Sequence, residues 1–133
     1  MLYLDTAALV KLVRRDAESE ALADWLDERA PLPWVSSALV EVELPRALRR
    51  SEPALLGGVP AVLARVARYE IDEVVRAAAA AHPDPDLRTL DAIHLATASA
   101  IFGTRLQAFI TYDQRLLDAA RRDGLPVASP GRP

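Results

Sequence analysis

Four short strand-like runs, Leu2-Tyr3-Leu4, Trp34-Val35-Ser36, Tyr69-Glu70-Ile71 and Ala108-Phe109-Ile110-Thr111, are each followed by a segment with helical spacing. Parallel strands need a helical crossover between them, and such crossovers are right-handed. The alternation therefore commits the chain to an α/β fold, a parallel sheet covered by helices on both faces. Pro126-Val127-Ala128 adds a fifth, edge strand. The strand order expected is 3-2-1-4-5. No internal repeat, low-complexity tract or second compositional unit interrupts the pattern, so residues 1–133 read as a single domain.

The connections can be placed from their punctuation. Ala7 to Val13 continues strand one as a helix, and Asp16 is the expected cap of a second helix reaching Arg29, with Leu22, Trp25 and Leu26 on one face. Pro31 and Pro33 mark a loop. Ser37 opens a third helix with Val40, Leu44, Ala47 and Leu48 as its buried stripe, and Pro45 inside it predicts a kink or restart near Glu43. Ser51 to Pro60 reads as a loop and Ala61 to Arg68 as a short helix. Asp72 caps a helix to Ala81, and the turn His82-Pro83-Asp84-Pro85-Asp86 precedes a central helix with Thr89 at its N-cap and an apolar body from Ile93 to Ile101. A last helix runs from Asp113 to Arg122, with Gly124 just past its end.

Composition narrows the chemistry. With no cysteine, disulfides and thiolate metal sites are excluded. No apolar run approaches the roughly 20 residues that span a bilayer, and the chain enters a strand directly after Met1, which points to a cytoplasmic protein. The net charge of -3 does not advertise a nucleic-acid binder, yet Lys11 is the only lysine and Arg46, Arg49 and Arg50 lie together. Arginine forks suit phosphate oxygens, although a solvated helix face has the same composition.

The informative residues are acids. In an open parallel sheet, ligands bind beyond the carboxyl ends of the strands, where the strand order reverses. Asp5 ends strand one and Asp113 follows strand four, the two strands that flank that reversal. Asp91 opens the central helix, and Glu43 lies one or two turns into the helix after strand two. Each alone is explained by helix capping or the helix dipole. Together at one edge they would repel, unless a divalent cation removed the cost. All-oxygen ligands suit Mg²⁺ or Mn²⁺, which bind phosphate oxygens and activate a water for in-line attack on a phosphodiester. Glu41 competes with Glu43, since positions two apart on a helix point in different directions. Thr6, Ser36 and Thr111 are candidates for hydroxyls that orient the acids. His94 reads as a buried, hydrogen-bonded residue of the central helix, with a general-base role as the alternative.

These segments resemble a PIN domain of the VapC toxin type. The matching stretches are Leu4 to Lys11, Val35 to Leu39 leading to Val42-Glu43-Leu44, Leu87 to Ala98, Ile110 to Leu116, and Gly124 to Gly131. They fall in the family's order and span nearly the whole chain. The resemblance implies a PIN-like fold and a Mg²⁺- or Mn²⁺-dependent endoribonuclease toxin. It also implies a homodimer, held inactive by a VapB-like antitoxin whose tail would occupy the acidic groove. Asp5, Glu43, Asp91 and Asp113 are the family acids carried over, with Glu43 ligating directly or through water and 5′-phosphate and 3′-hydroxyl products expected. Glu43-Leu44 followed by Arg46 favours Glu43 over Glu41, while Pro45 departs from the family pattern. The alternative is a catalytically inactive PIN-like module that binds protein or RNA.

Overall fold

The structure is a computed structural model covering residues 1–133. Its centre is a five-stranded sheet in the order β3-β2-β1-β4-β5, with every pairing parallel. The strands are β1 (Leu2–Leu4), β2 (Trp34–Ser37), β3 (Val66–Tyr69), β4 (Ala108–Ile110) and β5 (Val127–Ala128). The helices are α1 (Thr6–Val13), α2 (Ser19–Asp27), α3 (Val40–Ser51), α4 (Val59–Ala64), α5 (Glu73–Ala80), α6 (Thr89–Ala96) and α7 (Gln114–Arg122).

Side chains alternate across the strands, so each strand feeds two cores. Leu2, Leu4 and Ile110 pack with Leu9, Leu22, Leu44 and Leu48 on the face covered by α1 to α4. Tyr3, Val35 and Phe109 pack with Leu95, Leu116 and Ala119 on the opposite face, under α6 and α7. Tyr3 and Phe109 stack there with ring centroids 4.9 Å apart. Burial on both faces is why β1 reads as an unbroken apolar run.

Helix starts follow local hydrogen bonding. The Asp5, Asp72 and Asp113 carboxylates accept from the backbone N–H groups of Ala8, Val75 and both Arg115 and Leu116, capping α1, α5 and α7. Gly124 closes α7 in the left-handed conformation at φ 82°, and the Leu125 N–H returns to the Ala120 carbonyl.

The structure corrects several boundaries. Asp16 does not cap α2: its carboxylate is drawn to the Lys11 ammonium at 2.9 Å, and the helix begins at Ser19. Ser37 ends β2 and does not open α3; its hydroxyl accepts from the Leu39 N–H before the helix starts at Val40. The Ser51–Pro60 stretch is mostly a 3₁₀ segment (Pro53–Gly58) leading into α4, since Pro53 and Pro60 sit in first turns, where no N–H is needed. β3 accordingly comes three residues earlier than expected and pairs Val66 with Trp34. Arg88, not Thr89, is the N-cap of α6, which leaves Asp91 in the first turn. After Ala96 the helix widens into a π segment (Thr97–Phe102), where the Thr97 and Ser99 hydroxyls donate to the Ile93 and Leu95 carbonyls. Pro45 does not break α3. The carbonyl it leaves without a partner belongs to Glu41, which is exposed to water.

Candidate active site

Four acids lie along the carboxyl edge of the sheet, around the β1/β4 reversal. Asp5 follows β1, Asp113 opens α7 after β4, Asp91 is in the first turn of α6, and Glu43 is in the first turn of α3. Asp5 is the most enclosed, with 3% of its surface exposed. One of its oxygens caps α1 through Ala8, and the other accepts from the Thr111 hydroxyl. Thr111 is itself locked, because its Oγ1 accepts from the Asp113 N–H at 3.1 Å and its carbonyl accepts from the Ser129 hydroxyl. One threonine thus ties two of the acids to each other and to the C-terminal segment.

Glu43 is held by a second network. Its Oε1 accepts from the Thr6 hydroxyl and from His94 Nε2, each at 2.8 Å. On the other side of the ring, His94 Nδ1 meets the Tyr3 hydroxyl at 2.7 Å, inside the core. Tyr3 has no exposed surface, and burial holds its hydroxyl well above the usual range, so it stays protonated. Glu41 instead faces outward toward Arg68 at 3.7 Å. Of the two glutamates, only Glu43 turns into the site.

Burial dominates the electrostatics of the acids, and their crowding adds to it. Burial pushes the Asp5 carboxyl up to about 6, against the pull of the His94 charge and the Thr111 and Ala8 hydrogen bonds; the Asp113 charge adds to the rise. Asp91 is also raised, first by burial, then by the charge of Asp113, with Glu43 contributing. No hydrogen-bond donor or ion-pair partner holds it. Burial acts on Glu43 most strongly and upward, yet the His94 hydrogen bond and charge, with Thr6, bring it below the ordinary value on balance.

No three His, Asp or Glu side chains converge tightly enough to enclose one ion. Protein donors take both oxygens of Asp5, Oε1 of Glu43 and Oδ1 of Asp113, leaving Oε2 of Glu43, Oδ2 of Asp113 and both Asp91 oxygens without a protein donor. The donor set still fits Mg²⁺ or Mn²⁺: such ions keep several waters and need only one or two direct carboxylates. The repulsion felt by Asp91 is the cost a cation would relieve.

The three candidate hydroxyls divide. Thr6 and Thr111 bind acids, whereas Ser36 donates to the Leu4 carbonyl at 2.6 Å and touches no carboxylate, because β2 lies beside β1 there. The three arginines divide too. Arg46 and Arg50 line a groove of about 340 Å³ that begins at Thr6 and Glu43, while Arg49 lies outside it. What sequence reasoning missed is the Tyr3–His94–Glu43 connection. The burial of His94 was legible, but its partners are 91 and 51 residues away in the chain.

A parallel 3-2-1-4-5 sheet with acids at its reversal point defines an α/β class with a carboxylate-edged site. Residues 2–122 match the PIN domain family model, and the chain belongs to that family, in its VapC branch. It is 56% identical over 133 residues to Ribonuclease VapC35 of Mycobacterium tuberculosis, covering 99% of this chain and 98% of the relative. Ribonuclease VapC46 of the same species is 44% identical over 130 residues, covering 97% of each chain. Among solved structures, M. tuberculosis VapC20, described as a sarcin-ricin loop cleaving toxin, matches with TM-score 0.69 at 17% identity over 90% of this chain and 95% of that one. Rickettsia felis VapBC2 bound to a promoter DNA fragment matches with TM-score 0.71 at 13% identity over 96% and 98%. At those identities the structural matches speak for the fold.

Proposed function

We infer that the chain, acting as one PIN-like unit, is the endoribonuclease toxin of a type II toxin–antitoxin pair and hydrolyses RNA phosphodiester bonds with Mg²⁺ or Mn²⁺. The observation that carries this reading is the group of four carboxylates around one sheet edge, with Asp91 raised by burial and then by the charges of Asp113 and Glu43. The ribonuclease names of the full-length relatives support it. Asp5, Asp91 and Asp113 would hold the ion between them, one or two directly and the rest through its bound waters, with Glu43 ligating directly or through water. When bound, the ion supplies positive charge to the phosphate oxygens and activates a water.

The chain's own residues fix the geometry. Thr111 keeps Asp5 and Asp113 in register, and Thr6 with His94 keeps Oε1 of Glu43 engaged, leaving Oε2 without a protein donor. Cleavage is proposed to leave 5′-phosphate and 3′-hydroxyl ends. The proposed partner is a VapB-like antitoxin, in keeping with the VapBC form of the R. felis neighbour. The proposed state is a cytoplasmic homodimer; no helix is long and apolar enough to cross a membrane.

Freed of its partner, the protein should cut RNA with Mg²⁺ or Mn²⁺ and stop in EDTA. Asp5→Asn and Asp91→Asn should each abolish cutting; undiminished activity in either variant overturns the site. A well-folded preparation that binds Mn²⁺ and RNA but cuts nothing would instead mark a binding module.

A further inference from the structure

The groove that starts at Glu43 does not end with Arg46 and Arg50. Arg50 and Ala47 also line a second groove, of about 400 Å³, which continues past Lys11 and Arg14 to Arg132 near the C-terminus. The two grooves adjoin at Ala47 and Arg50, and together they are taken as one trough that starts at Glu43 and follows the α1 side of α3. On α3, Glu43, Arg46 and Arg50 are spaced i, i+3 and i+7, which sets them on one stripe of the helix. Arg46 and Arg50 are separated by one turn, about 6 Å along the axis.

The state of the charges differs along the trough. At its far end the cations are occupied: Lys11 pairs with Asp16 and Glu18, Arg14 with Asp16, and Arg132 with Glu18. Arg46 and Arg50 have no carboxylate partner, although the acidic site is beside them. Glu43, the acid on their own stripe, is engaged by Thr6 and His94. Two arginines kept off nearby acids remain available to an external anion. The aromatic ring along the trough is Tyr112, which is 6% exposed, lies beneath Lys11 and Arg132, and donates its hydroxyl to the Pro130 carbonyl. It offers no face for stacking a base.

We propose that Arg46 and Arg50 form a sequence-neutral phosphate track that carries the single-stranded RNA backbone from the carboxylate edge along α3, and that Arg49 plays no part in it. The track deepens the ribonuclease reading and rests on it. Contacts of this kind set register and affinity and carry no base information.

The test uses the full chain carrying Asp91→Asn, so that binding is read without cleavage, and single-stranded RNA oligonucleotides of several sequences. Arg46→Gln and Arg50→Gln should each weaken binding about threefold to tenfold for every sequence. Each should also lessen the slope of log affinity against log salt by about 0.7, the loss of one phosphate contact. Arg49→Gln should change neither. Equal effects from Arg49→Gln, unchanged affinity in the other two, or losses confined to particular sequences would each overturn the track. So would a defect limited to binding the protein partner. In the otherwise wild-type chain, Arg50→Gln should raise KM with kcat retained. If the parent chain cuts no RNA at all, the ribonuclease reading fails; if the parent cuts and Arg50→Gln leaves KM unmoved or abolishes kcat, only the track fails.

Discussion

At the scale of single residues, the site trades stability for charge. Asp5 is held at about 6 in the fold against an ordinary value of 3.8. Between those values the folded chain binds a proton that the unfolded chain releases, so this group's contribution falls as pH rises through the window. In EDTA, Asp5→Asn should therefore be more stable than the parent at pH 7.5, by at most about 3 kcal/mol. The gap should close as pH falls toward 4, which urea titrations at a series of pH values would show. His94→Phe should do the reverse. It strips the buried Tyr3 hydroxyl and Glu43 of a partner, at a cost of roughly 2–4 kcal/mol by urea unfolding, and RNA cleavage should fall with it. The acids themselves were legible because an acid after a strand or in a first helical turn stands out in a sequence. Their holders were only half legible: Thr6 and Thr111 are one and two residues from an acid, but nothing in the local sequence around His94 announces a glutamate on another helix. Ser36 looked equivalent to the threonines, and only the neighbouring β1 carbonyl shows why it is not.

At the scale of elements, α3 carries both Glu43 and the arginine stripe, and it does so through a proline. Replacing Pro45 with Ala restores one backbone hydrogen bond to the Glu41 carbonyl. Since α3 is already unbroken, Pro45→Ala should raise the unfolding free energy by about 1–3 kcal/mol and leave cleavage near the parent level, as thermal melts and an RNA assay would report. Asp72→Ala offers a contrast, since this cap of α5 lies outside the acid group and should cost about 1 kcal/mol with no change in activity. The sequence is readable where elements are buried on both faces or carry a side-chain cap: β1, β2, β4, α1, α5 and α7 all lie close to where patterning puts them. It misleads at β3, an edge strand in which only Val66 is buried, so no periodic signal marks its register. It misleads again at 53–58, where glycine and proline suggest an open loop but proline also starts helical turns.

At the scale of the whole molecule, the sheet separates the two ends of its strands by chemistry. Binding of Mn²⁺ to the acid edge should raise the melting temperature, with the rise absent in Asp91→Asn and reversed by EDTA, because the ion stabilises only the state in which the acids are assembled. The opposite edge bears no such load. Met1 lies there, its carbonyl accepting from the Gln107 N–H, while residues 129–132 reach back to Thr111, Glu18 and Tyr112. The two termini are thus unequal handles for anyone building on this protein. A tag, reporter or tether should ride on the amino terminus without disturbing cleavage, whereas trimming the chain after Ala128 would slacken the threonine that keeps Asp5 and Asp113 in step.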